Sequence, residues 1–384
     1  MHWMVPERML DQYQLDILTK CGGTLGKNEW IKGFAGSGKT VLLVHLVQRM
    51  LVQNPDKKIC VAVYTHALKD LIDTGFEERF RVNVPVMTYH QLLSEKQEYD
   101  LVILDEVQDI PVGELTRIKE LAGRLVVAGD TDQSIYEKCS TSDEITATID
   151  PRPHQLIVLY RLTQKVRDIV QSILPGSQIE GARTNRMQEV QVTLAEANNE
   201  QEEIVWVWYN CRRYAKQGDP TVVLLPTHKI VQKFISKICK LEGKNPPAFP
   251  KRTEGRGIDY EIANRMLEES NIPLQYLGSA FGNLSDSDER PLTYIMTYHS
   301  AKGLDFETVF LPHINKNQTF WWKDEEIDRR LFFVGATRSR KNLFLSYSSD
   351  DPHEYIQAMP QNLLHKVSCE VQSGKSVDDN KFYF

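Results

Sequence analysis

A glycine-rich segment near the N-terminus has the residue types and spacing of a phosphate-binding loop. Residues 33–40 read GFAGSGKT, a full match to the pattern G-x-x-x-x-G-K-[ST], and the helical pattern VLLVHLVQRML follows directly. In such a loop the glycines let backbone N–H groups curl around a phosphate, the lysine neutralises its oxygens, and the following hydroxyl ligates Mg²⁺. The candidate nucleotide-binding residues are therefore Gly33, Gly36, Ser37, Gly38, Lys39 and Thr40.

Two adjacent carboxylates provide the signal that accompanies such a loop. Asp105 and Glu106 directly follow the apolar run Leu101–Leu104, which predicts a buried strand. A carboxylate at the carboxyl end of a strand can hold Mg²⁺ through its waters, and its neighbour can orient and deprotonate an attacking water molecule. We predict that Thr40 and Asp105 serve the metal, that Lys39 and Glu106 are catalytic, and that the chain is an NTPase.

These residues must be positioned by an α/β fold, because short apolar runs alternate with longer helical patterns along the chain. Predicted strands lie at 60–65, 84–88, 101–104, 125–128, 156–159, 190–194, 222–225, 294–297, 309–311 and 343–347. Predicted helices lie near 39–53, 66–77, 113–122, 199–216, 228–241, 260–269 and 328–336. The pattern favours parallel sheets flanked by helices.

The chain of 384 residues is long enough for two or three domains. We predict a first domain at 1–160 and a second at 161–350, with a hinge near Arg161. A segment rich in Pro, Gly and charge near 242–292 predicts a small loop-rich insertion in the second domain, and 351–384 predicts a C-terminal helix and tail.

Composition narrows the class of protein. The net charge of −6 argues against a protein that coats nucleic acid by bulk attraction, although a local basic track remains compatible with it. No apolar run approaches the roughly 18–20 residues that cross a bilayer, so we expect no membrane association. The six cysteines form no C-x-x-C pair, which is typical of a reducing, cytoplasmic location.

Several short motifs in a fixed order resemble those of UvrD/Rep-type superfamily 1 helicases. They are LDQYQ at 10–14, DEVQD at 105–109, GDTDQSIY at 129–136, YR at 160–161, TYHSAKGLDF at 297–306 and RLFFVGATR at 330–338. The resemblance covers almost the whole chain. It implies two tandem RecA-like P-loop domains that clamp ATP between them and carry single-stranded nucleic acid across their top.

The resemblance also implies roles for further residues at the ATP site. Gln14 would read the adenine edge, Tyr160 would stack on the base, and Asp305 would accept a hydrogen bond from the ribose. Gln133 would reach the γ-phosphate or the attacking water. Arg161 and Arg338, from the second half, would act as arginine fingers, so hydrolysis would require closure of the cleft.

For the nucleic-acid track, the resemblance implies contacts from hydroxyls, imidazoles, one tyrosine and one lysine. Residues 64–69 and 137–140 depart from the family's aromatic pattern, so two base-stacking rings are expected to be missing. The predicted nucleic-acid contacts are Thr65, His66, Thr88, Tyr89, His90, His299 and Lys302.

The chain also departs from the family in size, since only residues 91–104 separate His90 from Asp105, where family members insert an accessory subdomain. The leading hypothesis is a helicase or translocase that hydrolyses ATP and moves on single-stranded DNA, with 3′-to-5′ direction implied by the resemblance. RNA as the strand remains open. One alternative is an ATPase subunit that senses nucleic acid and regulates a partner nuclease without unwinding alone. Another is a binder that has lost turnover.

Overall fold

A computed structural model describes residues 3–23, 26–131, 134–136, 139–160, 162–175, 183–184, 189–253, 257–278, 280–320, 324–349 and 351–369. Among these residues, no helix combines the length with the apolar character that crossing a membrane requires.

The first half of the chain forms a six-stranded sheet. Its order is β3-β2-β4-β5-β1-β6, and every neighbouring pair is parallel. Successive parallel strands need crossover connections, which the intervening helices supply. The strands are β1 (Glu29–Gly33), β2 (Ile59–Val63), β3 (Val86–Thr88), β4 (Leu101–Leu104), β5 (Leu125–Gly129) and β6 (Arg152–Leu156).

Several helices of this half begin after residues whose side chains cap them. Asp11 and Gln14 form a capping box, as do Thr88 and Gln91, and the Thr65 hydroxyl accepts from the N–H of Leu68. The helices are α1 (Gln12–Gly22), α2 (Lys39–Gln53), α3 (His66–Gly75), α4 (Glu78–Arg81), α5 (Tyr89–Glu95), α6 (Val112–Glu120) and α7 (Ser142–Ile149).

The connection to the second half contains β7 (Val158–Leu159), which pairs with β8 (Arg183–Thr184), and the helix α8 (Gln164–Ile173). The second half then forms a seven-stranded parallel sheet in the order β11-β12-β10-β13-β14-β9-β15. Its strands are β9 (Gln191–Ala197), β10 (Thr221–Leu225), β11 (Leu274–Tyr276), β12 (Thr293–Thr297), β13 (Phe306–Leu311), β14 (Ser339–Ser348) and β15 (His365–Ser368).

The helices of the second half are α9 (Glu200–Tyr214), α10 (His228–Leu241), α11 (Glu261–Glu269), α12 (Asp286–Glu289), α13 (Glu325–Ala336) and α14 (Glu354–Ala358). Among them, α9, α10, α11 and α13 contact strands of this sheet. One cluster of buried apolar side chains contains residues of both halves. The halves also touch at Gly303, where an added Cβ would lie 3.1 Å from the Leu68 side chain of α3.

The predicted α/β class with two parallel sheets is confirmed, but several elements differ from the prediction. The strand predicted at 156–159 was wrong in extent, because β6 ends at Leu156 and β7 is a separate strand. The predicted insertion near 242–292 contains α11, α12 and the strand β11 as well as loops, and the predicted tail adds β15 to the second sheet. Additional helices that the sequence analysis did not predict are α1, α4, α5, α7, α8 and α12.

The strand β1, which leads into the glycine-rich loop, was also missed because its sequence EWIKG carries two charged residues. The Glu29 carboxylate is fully buried, and it accepts hydrogen bonds from Arg124 (3.2 Å) and Arg152 (3.0 Å). His154 lies 2.7 Å from the same carboxylate. These partners compensate the cost of burying the charge. They also tie β1 to the neighbouring strand β6.

Candidate nucleotide-binding and catalytic site

The glycine-rich loop connects the end of β1 to the start of α2. Gly36 and Gly38 have φ values of 75° and 86°, a left-handed conformation that favours glycine. The Lys39 ammonium, at a residue that is only 6% exposed, donates to the carbonyls of Gly33 (2.7 Å) and Phe34 (3.1 Å). Its charge therefore lies inside the loop, where a phosphate would bind.

Thr40 and Asp105 meet beside this loop. The Thr40 hydroxyl donates to Oδ2 of Asp105 (2.6 Å), whose Oδ1 accepts from the N–H of Glu106 (2.9 Å). Burial, and then the neighbouring Glu106 carboxylate, raise the pKa of Asp105 to about 6. A hydroxyl and a carboxylate are oxygen ligands of the kind that Mg²⁺ uses in proteins, so the two residues fit the predicted metal site.

Glu106 is buried at the carboxyl end of β4 with a positive φ of 55°. Gln108 donates to its carboxylate at 2.6 Å. Burial opposes ionisation, but the charges of Lys302, Lys39 and Arg338, together with this hydrogen bond, hold the pKa of Glu106 below its ordinary value. A buried carboxylate that stays ionised is suited to accept a proton.

A cleft of about 340 Å³ contains most of the predicted nucleotide-site residues. It is lined by loop and catalytic residues of the first half and by Asp305 and Arg338 of the second. Gly33 and Ser37 lie buried at the base of the loop. The predicted residues that line the cleft are Gln14, Gly36, Gly38, Lys39, Thr40, Glu106, Tyr160, Asp305 and Arg338.

One side of the cleft is formed around α1. The Gln14 oxygen accepts from the N–H of Asp11 (3.1 Å), and the Tyr160 hydroxyl donates to the Asp11 carboxylate. The N–H of Tyr160 donates to the carbonyl of Gly36 at 2.9 Å. Gln14 and Tyr160 are therefore held together against the glycine-rich loop, and their contacts with the base stay predictions.

N-terminal residues form a wall of the cleft that was not predicted from the sequence. The bidentate pair between Glu7 and Arg49 (2.9 and 2.7 Å) fastens this segment to α2. The Trp3 indole donates to Thr74 at 3.0 Å and packs so closely on Gly75 that an added Cβ there would lie 2.3 Å from its ring. Further lining residues missed in the sequence are Trp3, Val5, Met9, Leu10, Phe34, Ala35, Val41, Leu71, Gly303 and Arg340.

Arg338 enters the cleft from the second half. It is 1% exposed, and its guanidinium donates to the carbonyls of Val334 (2.8 Å) and Leu304 (3.1 Å) and to the Thr337 hydroxyl (2.9 Å). These bonds fix its orientation. Its charge acts on Glu106 across the cleft. Two other predicted catalytic residues, Gln133 and Arg161, lie outside the described residues.

The predicted nucleic-acid residues fall into exposed and buried groups. His66 and His90 are exposed at the starts of α3 and α5, whereas Thr88 and Tyr89 are buried there. Thr65 is partly exposed and caps α3. Their contacts with nucleic acid stay predictions.

Lys302 joins the two halves of the protein. It is 2% exposed, and its ammonium lies 2.7 Å from Oδ1 and 2.6 Å from Oδ2 of Asp109 in the first half. Lys302 also contributes to the lowered pKa of Glu106. In this structure its charge therefore serves the interface between the halves, and the predicted phosphate contact would require this ion pair to open.

Aromatic rings cross the same interface. The rings of Tyr64 and Tyr136 stack with centroids 4.3 Å apart, Tyr89 lies 5.5 Å from Tyr64, and His299 of the second half lies 5.6 Å from Tyr136. Tyr64 supplies a ring beside Thr65, and in this structure that ring stacks on Tyr136. The expected absence of a base-stacking ring from residues 64–69 stays a prediction.

Acidification is expected to destabilise the fold through His299. Burial, followed by the charges of Lys302 and His228, lowers the pKa of His299 to about 4, whereas histidine in an unfolded chain titrates near about 6.5. Between these values the unfolded chain binds a proton that the folded chain does not. The stabilising contribution is therefore complete above about pH 6.5 and is lost as the pH falls toward 4.

We expect the protonation of His299 alone to lower the free energy of unfolding by roughly 2 kcal/mol between pH 7 and pH 5. Urea unfolding at each pH measures this drop. A His299→Asn variant should show a drop smaller by that amount. Equal drops in both proteins would contradict the assignment.

The fold and the site together define a class of protein. Two parallel sheets flanked by helices, a glycine-rich loop at a helix start and an Asp-Glu pair at a strand end describe a P-loop protein with two RecA-like domains. The family model of the UvrD-like helicase C-terminal domain matches residues 268–350, and that of an AAA domain matches residues 24–138. The chain belongs to the UvrD-like superfamily 1 helicases.

Individual relatives match over short segments. The chain is 27% identical over 128 residues to the ATP-dependent DNA helicase PcrA of Staphylococcus aureus, covering 29% of this chain and 18% of PcrA. It is 30% identical over 101 residues to DNA helicase II of Rickettsia typhi, covering 23% of this chain and 15% of that protein. The matches thus span less than a fifth of each curated relative.

Among solved structures, the PRRSV helicase matches with a TM-score of 0.44 and 15% identity over 87% of this chain and 54% of that one. Arterivirus nonstructural protein 10, a helicase, matches with a TM-score of 0.42 and 14% identity over 90% of this chain and 64% of that one.

Proposed function

We propose that the chain is a motor that hydrolyses ATP in the presence of Mg²⁺ and moves along single-stranded DNA, with the 3′-to-5′ direction that its family resemblance implies. The observation that carries the proposal is that one cleft is lined by Lys39 and Glu106 of the first half and by Asp305 and Arg338 of the second. A nucleotide bound there would touch both halves, so its turnover would change how they fit together.

The residues of this chain divide the chemistry between them. Lys39 and the loop N–H groups would hold the phosphates, and Thr40 with Asp105 would hold Mg²⁺, which supplies charge neutralisation when bound. The ionised Glu106 would accept the proton of the attacking water. Arg338 would stabilise the negative charge that develops on the transferred phosphoryl group.

The nucleic-acid strand is proposed to act through the interface between the halves. Lys302 pairs with Asp109, only three residues beyond Glu106, and the stacked rings of Tyr64 and Tyr136 lie beside His299. A strand that displaced these contacts would alter the charges around Glu106. This arrangement supports turnover that depends on nucleic acid.

Separation of duplex strands extends the proposal from the names of the relatives, which are DNA helicases. In this chain α5, a short connection and β4 occupy residues 89–104, where family members carry an inserted subdomain. Movement along one strand is therefore the first activity to test, and unwinding is the second.

The test is steady-state ATP hydrolysis by the full chain with Mg²⁺, measured without nucleic acid and with single-stranded DNA or RNA of equal length. We expect stimulation by DNA, displacement of a duplex with a 3′ tail, and little displacement with a 5′ tail. A Lys39→Ala variant controls for contaminating ATPases. Absence of hydrolysis above that control under all conditions would refute the motor, whereas stimulation without displacement would restrict it to a translocase or a partner-dependent subunit.

A further inference from the structure

The nucleotide cleft contains a second arginine from the second half that the catalytic scheme does not use. Arg340 is the second residue of β14, two positions after Arg338, and it lines the cleft beside Gly303 and Asp305. The side chain is half-buried, with 22% of its surface exposed. Its position places a permanent positive charge in the same cleft as Lys39 and the glycine-rich loop.

The hydrogen-bonding capacity of Arg340 is incompletely used. Its Nε is buried and has no hydrogen-bond partner among the described residues. The guanidinium lies 4.0 Å from Glu307, which is beyond hydrogen-bonding distance, and the same carboxylate lies 3.7 Å from Lys341. A buried donor without an acceptor costs free energy, and a movement of this side chain toward an acceptor on a ligand in the cleft would remove that cost.

The charges around Arg340 narrow the chemistry of that ligand. The charges of Glu307, Arg340 and Lys341 all act on the Asp219 carboxylate, so both signs of charge are present around Arg340. The cleft that Arg340 lines is also lined by Lys39 and by residues of the glycine-rich loop, which mark the place of an anionic polyphosphate. A guanidinium binds phosphate through forked hydrogen bonds to two of its oxygens. A single carbonyl or hydroxyl group on a ligand has only one oxygen to accept them.

We propose that Arg340 binds the phosphate chain of the nucleotide in its ground state, as a binding residue distinct from the catalytic Arg338. This inference rests on the proposed nucleotide site and assigns it a further contact. Arg338 is oriented by hydrogen bonds to Val334, Leu304 and Thr337 of its own half, whereas the Nε of Arg340 has no hydrogen-bond partner among the described residues. The two arginines would therefore divide their tasks, with Arg340 affecting affinity and Arg338 affecting rate.

The experiment is an equilibrium titration of fluorescent ADP and of a non-hydrolysable ATP analogue with Mg²⁺, free of any turnover. Charge-assisted hydrogen bonds are worth enough that Arg340→Ala should raise the Kd by about 10- to 100-fold for either nucleotide. Lys341→Ala is the matched control, because it removes a charge that shares Glu307 but lies at a residue outside the cleft lining. It should bind within about twofold of the parent protein.

Arg340→Lys provides a second variant that keeps the charge and loses the Nε donor, and it should bind with intermediate affinity. Thermal melting without nucleotide establishes whether Arg340→Ala is folded. If it is not, the affinity of Arg340→Lys decides whether Arg340 binds the nucleotide. Wild-type affinity in the folded Arg340 variants, or an equal loss in Lys341→Ala, would overturn the inference. If the parent protein nevertheless binds nucleotide and Lys39→Ala abolishes that binding, the proposed nucleotide site is retained and only the role of Arg340 is refuted. If the parent protein binds no nucleotide, the proposed site and the role of Arg340 are both refuted.

Discussion

Replacing Arg338 by alanine is expected to slow ATP hydrolysis by about 10³- to 10⁵-fold, the range found for arginine fingers in phosphoryl transfer. Nucleotide affinity should change by only a few-fold, because the guanidinium acts mainly on charge that develops in the transition state. The structure places Arg338 in the same cleft as Glu106 with its orientation fixed by backbone carbonyls. Such preorganisation is what makes a finger effective.

The measurement is single-turnover hydrolysis with saturating single-stranded DNA, accompanied by a nucleotide titration. Because Arg338 also bonds Val334 and Leu304, thermal melting must establish that the variant is folded. Arg329→Ala is the control, since that arginine lies on α13 outside the cleft lining and pairs with Glu325. A single-turnover rate within tenfold of the parent protein would remove Arg338 from the catalytic role.

The first half of the site could be predicted from the sequence because its determinants are local. The loop at 33–40 and the pair Asp105 and Glu106 each follow from a few adjacent residues, and backbone geometry then brings strand ends together at one sheet edge. Thr40 and Asp105 are 65 residues apart in the chain and 2.6 Å apart in the fold. The parallel order of β1, β5 and β4 produces that contact.

What could not be predicted depends on partners distant in the sequence. A charged residue such as Glu29 is not expected in a buried strand, so β1 was not predicted. The charge is tolerated there because Arg124 and Arg152, which are distant in the sequence, pair with it. Lys302 looks like a phosphate ligand in a motif, yet it lies buried on Asp109, which is 193 residues away. No sequence motif marked Arg340 as a nucleotide-site residue, because its place in the cleft follows from the register of β14 beside β13.

The interface between the halves links the two proposed sites physically. Lys302 contributes to the lowered pKa of Glu106, and its partner Asp109 lies on the same turn as Gln108, which bonds Glu106. The rings of Tyr136 and His299 lie on opposite sides of this interface. Any ligand that separates the halves here therefore changes the electrostatic environment of the proposed base. The interface is therefore sufficient to couple the proposed nucleic-acid site to the proposed nucleotide site.

Glu106→Gln is expected to abolish most turnover while preserving nucleotide binding. The substitution keeps the shape of a buried side chain whose partner, Gln108, can still hydrogen-bond to an amide oxygen. It removes the proton acceptor, and loss of a general base costs typically about 10²- to 10⁴-fold in rate. The glycine-rich loop, Lys39 and Thr40 remain, so a nucleotide should bind at least as tightly once a negative charge has left the cleft.

Single-turnover hydrolysis and a nucleotide titration test this prediction together. Glu120→Gln is the matched control, because it makes the same chemical change at an exposed residue at the end of α6. If Glu106→Gln hydrolysed ATP at the parental rate, another group would have to accept the proton. If it lost binding as well as turnover, the buried carboxylate would be supporting the loop rather than the chemistry. Retained binding with lost turnover is the result that the ionised, hydrogen-bonded state of Glu106 predicts.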